Sequence, residues 1–128
     1  LEEALKERGK RMEGARVLML GLAYKKDIDD PRESPSFKLL ELLEQKGAEV
    51  VYNDPNIPKF PSMRHYRHLK VKTVDLTETV LEGVDAALIV TDHSGYDYER
   101  IARHAPLIVD TRNACRGVEH WRHKIVRA

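Results

Sequence analysis

The chain has 128 residues, 41% hydrophobic and 34% charged, with seven Gly and six Pro. That is the composition of one domain able to bury roughly two-thirds of its unfolded surface, so neither metal nor disulfides are required, and a single cysteine, Cys115, excludes a disulfide framework. With 22 Lys+Arg against 21 Asp+Glu the net charge is +1, which supplies no broad field for nucleic acid or an anionic membrane.

Leu1, Leu5 and Met12 recur at helical spacing, as if the chain opens inside a helix. Its first residue is Leu rather than Met, so a piece of a longer polypeptide is expected, with a processed N-terminus as the alternative. After Gly14, the run Ala15-Arg16-Val17-Leu18-Met19-Leu20 suits a strand buried on both faces and ends at Gly21. A polar stretch, Lys25 to Arg32, leads to Ser34-Pro35, a serine N-cap with proline at the first helical position. Leu39, Leu40 and Leu43 give that helix its apolar stripe, Lys46 sits in its last turn, and Gly47 supplies the left-handed residue that ends it. Ala48-Glu49-Val50-Val51-Tyr52 reads as a second strand, stopped by Asn53-Asp54-Pro55. Asn56 to Lys72 reads as surface loop. Asp75 or Thr77 can cap a short helix through Leu81, and Val84 to Val90 is a strand, with Thr91-Asp92-His93-Ser94 as the loop beyond it. Tyr98 to Ala105 fits a short helix, Leu107-Ile108-Val109 a further buried strand, and Asp110-Thr111-Arg112-Asn113 its polar exit.

Short apolar strands alternating with helices predict an α/β domain: a doubly wound, mainly parallel, Rossmann-like sheet with helices on both faces. Ligands of such sheets bind beyond the carboxyl ends of the strands. The polar residues expected there are Tyr24, Lys25 and Arg32, then Asp54, then Thr91 to Ser94, then Arg112. The first loop, Gly21-Leu22-Ala23-Tyr24-Lys25, lacks the three-glycine pattern that lets backbone approach a pyrophosphate, so it is not a self-contained dinucleotide site. It offers a lysine and an arginine before a helix N-terminus, which suits phosphate. Pairing of Lys25 and Arg32 with Asp27, Asp29, Asp30 or Glu33 is an equal reading.

Asp54 can take ribose hydroxyls or serve only as a turn residue, the reading Asn-Asp-Pro favours. Cys115 lacks an assignable base and is expected as core filler, not as a nucleophile. His120 and His123 could share a helix face, but nothing completes a zinc site, so no metal is expected. The basic segment Arg64 to Lys72 is expected as a solvated loop rather than an RNA contact. No run approaches the roughly 18 apolar residues that cross a bilayer, and no signal-like start is present, so the expected address is the cytoplasm, without membrane or nucleic-acid partners.

Val17 to Lys25, Asp29-Asp30-Pro31-Arg32-Glu33-Ser34-Pro35, Lys46-Gly47-Ala48-Glu49-Val50 and Asp54-Pro55, followed by Ala86 to Thr91 and Ile108 to Asn113, together resemble the C-terminal domain of the UDP-glucose/GDP-mannose dehydrogenase family, in the same order over about residues 15 to 115. The resemblance implies an enzyme that oxidises the C6 alcohol of a nucleotide sugar to a carboxylate with NAD, through a cysteine thioester. It implies that residues 15–128 bind the UDP part of the substrate, while residues 1–14 end the connection from a missing central domain. By position in the motifs, Tyr24, Lys25 and Arg112 resemble substrate contacts, and Arg32 resembles a residue on the NAD side of the interdomain cleft. The NAD-binding domain and the catalytic cysteine of the family have no counterpart here, so no catalytic residue is expected and the chain alone is expected to be inactive. His93-Ser94-Gly95-Tyr96-Asp97 and Thr111-Arg112-Asn113-Ala114 look more like members acting on UDP-N-acetylhexosamines than on UDP-glucose. Complete enzymes of this kind are expected to be homo-oligomers. The competing readings are a receiver-like signalling module, which the early place of Lys25 disfavours, and a freestanding UDP-binding regulator.

Overall fold

The computed structural model describes residues 1–21, 35–54, 72–93 and 95–127. Their helices are α1 (Glu2–Glu7), α2 (Pro35–Gln45), α3 (Glu78–Gly83) and α4 (Tyr98–His104). Their strands are β1 (Arg16–Leu20), β2 (Glu49–Asn53), β3 (Lys72–Thr73), β4 (Ala86–Ile89), β5 (Ile108–Asp110) and β6 (Ile125–Arg127). These six strands form one sheet in the order β3-β2-β1-β4-β5-β6, every described pairing parallel.

Strand β1 lies at the centre because its residues are apolar on both faces. Val17 and Met19 enter a core with Ala4 and Leu5 of α1 and Leu40 and Leu43 of α2. Leu18 and Leu20 enter the opposite core with Leu81 of α3 and Ile101 and Ala102 of α4. Val17, Leu18, Met19 and Leu20 are fully buried, each worth about 2 kcal/mol of transfer free energy against the entropy of ordering the chain. Helices therefore cover both faces of a parallel sheet, as the alternating pattern predicts.

Local chemistry sets the helix ends. Beyond α2, the Gly47 amide donates to Glu44 O and the Ala48 amide to Leu43 O, with Gly47 at φ +86°, a paired closure that satisfies two otherwise orphaned carbonyls. Of the two candidates for the cap of α3, Thr77 does it: its Oγ1 accepts from the Val80 amide at 3.1 Å. Asp97 caps α4 in the same way, accepting from the Arg100 amide.

Several elements differ from expectation. Strand β2 extends through Asn53 because the Gly21 amide donates to Asn53 O and the Asn53 side chain donates to Val74 O, so the chain leaves the sheet only at Asp54. Lys72, placed at the end of a loop by sequence, instead pairs with Val51, and with Thr73 opposite Tyr52 forms β3. The last predicted strand is followed by another: Ile125–Arg127 pairs with β5, reached through 3-10 turns at Ala114–Gly117 and Arg122–Lys124. His120 and His123 share no helix, since Trp121 between them is left-handed at φ +58°. His120 Nδ1 lies 2.9 Å from Glu99 Oε1, and the His123 carbonyl accepts from Arg8.

Candidate functional site

The strand order reverses between β1 and β4, and in open parallel sheets that reversal opens the ligand crevice at the carboxyl ends. Here the described part of the crevice is occupied by the protein itself. Gly21, at φ +100°, lies against Thr91, so close that a Cβ built on it would sit 2.5 Å from Thr91 Cβ. The Gly21 amide is spent on Asn53 O, and Thr91 is fully buried. A pyrophosphate cradle needs free amides and open space at this turn, and Gly21 supplies neither. Gly21 thus does not open a pyrophosphate cradle.

Asp54, expected as a turn residue or a ribose contact, has its side chain buried at the exit of β2. It is 3% exposed, and its Oδ2 lies 2.9 Å from Nε2 of the fully buried His93, joining the exits of β2 and β4. Two tyrosines tighten the same strap: Tyr96 Oη donates to Asn53 O at 2.6 Å, and Tyr98 Oη to His93 O at 3.1 Å. Burial pushes the Tyr96 phenol far above its ordinary range, helped by the nearby Asp54 carboxylate, so Tyr96 acts as a neutral donor. A phosphate acceptor must be reachable by its donor, and an Asp54 buried on His93 is not placed for receiver-like chemistry.

Arg112 follows β5, where the sequence places it. Its Nε donates to Val90 O at 2.9 Å, so the guanidinium is held against the end of β4, the strand that borders the reversal. Asp110 organises that turn: Oδ1 accepts from the amides of Arg112 and Ala114, and Oδ2 accepts from the amide of Cys115. Thr111 Oγ1 donates to Ile89 O at 2.6 Å. Tyr24, Lys25 and Arg32 lie outside the described residues, as does the basic segment from Arg64 to residue 71.

Sequence reasoning named His93 and Asp110 as loop, exit and motif residues, with no buried partner assigned to either. Nothing in the local pattern marks a histidine whose partner is 39 residues away. Asp110 carries a fainter signal, an aspartate with amides two, four and five residues ahead, which is the spacing of side-chain-to-backbone turns.

Cys115 is the core residue expected. It is 1% exposed, and burial, reinforced by the Asp110 carboxylate, pushes its thiol up to about 12. Iodoacetamide at pH 8 should therefore alkylate the folded chain at least roughly a hundredfold more slowly than the urea-unfolded chain, on thiolate fraction alone. Equal rates would show that Cys115 is accessible and ionised. Among the described residues no cluster of three or more His, Cys, Asp or Glu could hold a metal ion, and no helix is long and apolar enough to cross a membrane.

A family model described as the UDP-glucose/GDP-mannose dehydrogenase family, UDP binding domain, matches residues 18–117. The chain is similar to a UDP-N-acetyl-D-mannosamine dehydrogenase of Pyrococcus horikoshii, 35% identical over 119 residues that cover 88% of this chain and 25% of that one. It is similar to a UDP-glucose 6-dehydrogenase of Pseudomonas aeruginosa, 33% identical over 111 residues, 80% of this chain and 24% of that one. Among solved structures, an NDP-N-acetyl-D-galactosaminuronic acid dehydrogenase from Methanosarcina mazei superposes with a TM-score of 0.75 at 29% identity, over 98% of this chain and 26% of that one. The chain thus spans about a quarter of the length of the relatives it matches.

Proposed function

The chain belongs to the UDP-glucose/GDP-mannose dehydrogenase family, and on that premise we propose that it is the C-terminal domain of an NAD-dependent UDP-sugar 6-dehydrogenase, holding the UDP part of the substrate while oxidation at C6 takes place on other domains of the same polypeptide. The observation that carries this reading is the span of the family match, residues 18–117, which runs from β1 to the turn beyond β5 and so takes in the carboxyl edge of the sheet.

Tyr24, Lys25 and Arg112 are the substrate contacts in this reading. A diphosphate needs cations fixed beside strand ends, and holding that unreactive handle orients C6 toward distant chemistry. NAD would supply the hydride acceptor for the oxidation at C6, held by residues outside this chain. The crevice geometry at Gly21 and Thr91 supports placing its site on a domain outside residues 1–128, with Arg32 reaching it across the cleft and residues 1–14 ending the connection from the central domain. The complete enzyme is a cytoplasmic homo-oligomer acting on a UDP-N-acetylhexosamine rather than UDP-glucose. The motifs at His93 to Asp97 and Thr111 to Ala114 support that preference.

Calorimetric titration of the 128-residue chain with UDP, with NAD as control, tests the binding role. UDP is expected to bind, NAD is not, and Lys25→Ala is expected to weaken UDP by at least about tenfold, the scale of one charge-assisted contact. Absence of UDP binding, or binding indifferent to Lys25, counts against the assignment. Incubating the chain with UDP-sugars and NAD should produce no NADH, whereas the full-length polypeptide should turn over UDP-N-acetylglucosamine or UDP-N-acetylmannosamine faster than UDP-glucose.

A further inference from the structure

Asp110 is 1% exposed, and a carboxylate taken out of water is costly unless every acceptor is used. Its two oxygens take three backbone amides, from Arg112 at 3.0 Å, Ala114 at 3.0 Å and Cys115 at 2.9 Å. Ending a strand does not require this. What the three bonds do is wind residues 111–115 into one shape, with Asn113 in the left-handed region at φ +58°. Two further bonds fasten that shape to β4: Thr111 Oγ1 to Ile89 O and Arg112 Nε to Val90 O. Arg112 is thereby held on both sides, its amide by the buried carboxylate and its guanidinium by the carbonyl at the end of β4.

We propose that Asp110, with Thr111, is a positioning residue for nucleotide binding: the turn they fix holds the Arg112 guanidinium at the carboxyl end of β4, ready for the anionic UDP. This rests on the UDP-binding reading above. An arginine side chain is long and loses rotamer freedom when it binds an anion, so fixing it beforehand removes that loss from the binding step. The effect of one such ordered side chain is up to roughly tenfold in affinity.

The test is a double-mutant cycle on the 128-residue chain, titrated with UDP. Arg112→Ala and Asp110→Asn should each weaken UDP, the second by up to about tenfold, and the double variant should bind no more weakly than Arg112→Ala alone. Unchanged affinity in Asp110→Asn, or an equal further loss when it is added to Arg112→Ala, overturns the proposal, because a purely structural defect would weaken binding whether or not Arg112 were present. Should Asp110→Asn fail to fold, Thr111→Val loosens the same turn and leaves the carboxylate in place, with the same non-additivity expected and additivity again overturning it. Hydrogen exchange of the Arg112 Nε–H, followed by NMR without ligand, separates this idea from the reading it rests on. Exchange should be slow in the wild type and accelerated in Asp110→Asn or Thr111→Val. Exchange unaltered by those substitutions overturns the positioning role, whereas altered exchange in a chain that binds no UDP overturns the UDP-binding reading alone.

Discussion

Replacing His93 with alanine should lower the stability of the chain by about 3 kcal/mol, seen as a fall of roughly 10 °C in melting temperature for a chain of this length. The size follows from where the pair sits. His93 is fully buried and Asp54 is 3% exposed, so the substitution takes a donor from a carboxylate that water cannot readily reach. It also leaves a hole beside Tyr96, whose ring centroid lies 5.9 Å from that of His93. Asp54→Asn should cost less, about 1 to 2 kcal/mol, because an amide oxygen can still accept from Nε2. A cycle combining the two substitutions should show a coupling of at least about 1 kcal/mol. Additive losses would mean that the two side chains hold their loops separately and that no strap joins β2 to β4.

Gly21→Ala should be about as damaging, again near 3 kcal/mol, for a different reason. The backbone there has φ +100°, which an L side chain adopts at a cost of about 1 to 2 kcal/mol. The new methyl would in addition lie 2.5 Å from Thr91 Cβ, 2.7 Å from its Oγ1 and 2.9 Å from its backbone nitrogen. The first two atoms belong to a buried side chain and the third to a strand exit, so relaxation has nowhere to go and overpacking adds a further 1 to 3 kcal/mol or so. Gly83→Ala is the control: nothing lies within 4 Å of its added Cβ, and the change should be neutral or up to about 1 kcal/mol stabilising. Urea midpoints for the two variants decide the matter, and a Gly21→Ala chain as stable as the wild type would show that Gly21 and Thr91 do not approach as closely as described.

The legible parts of the fold were those that one stretch of chain determines by itself. Val17 to Leu20 is apolar without interruption, which only a doubly covered central strand accommodates, and Gly47 and Thr77 are helix punctuation that acts within a turn. Strands β3 and β6 were hidden because their partners define them. Lys72 and Thr73 are polar and exposed, and Ile125-Val126 is too short a run to stand out behind Arg122, His123 and Lys124. At the site, Arg112 could be placed by its position after a strand, whereas the pairing of His93 with Asp54 arises only when the ends of two separate strands meet. Polar residues with no periodicity read as solvated loop, and the tertiary structure turned several of them inward: Asp54, Thr91, His93 and Asp110 are all buried.

The attachment of the first residues has a mechanical consequence. Ala4, Leu5 and Met12 share a core with Leu40 and Leu107, Lys10 grips Asp85 at 2.8 Å just before β4, and Arg8 holds the carbonyl of His123 near β6. The segment from Ala4 to Met12 is thus fixed to the rest of the domain at three places, by Ala4 and Leu5 of α1 in the core and by Arg8 and Lys10 just beyond it. A close-packed interior transmits displacement instead of absorbing it, so a push or twist applied through α1 arrives at the amino ends of β1 and β4. Those strands run on to Gly21 and Thr91 at the opposite edge, which makes the sheet a stiff lever between the two. A displacement applied to the segment from Ala4 to Met12 is therefore passed to the sheet rather than absorbed along the way.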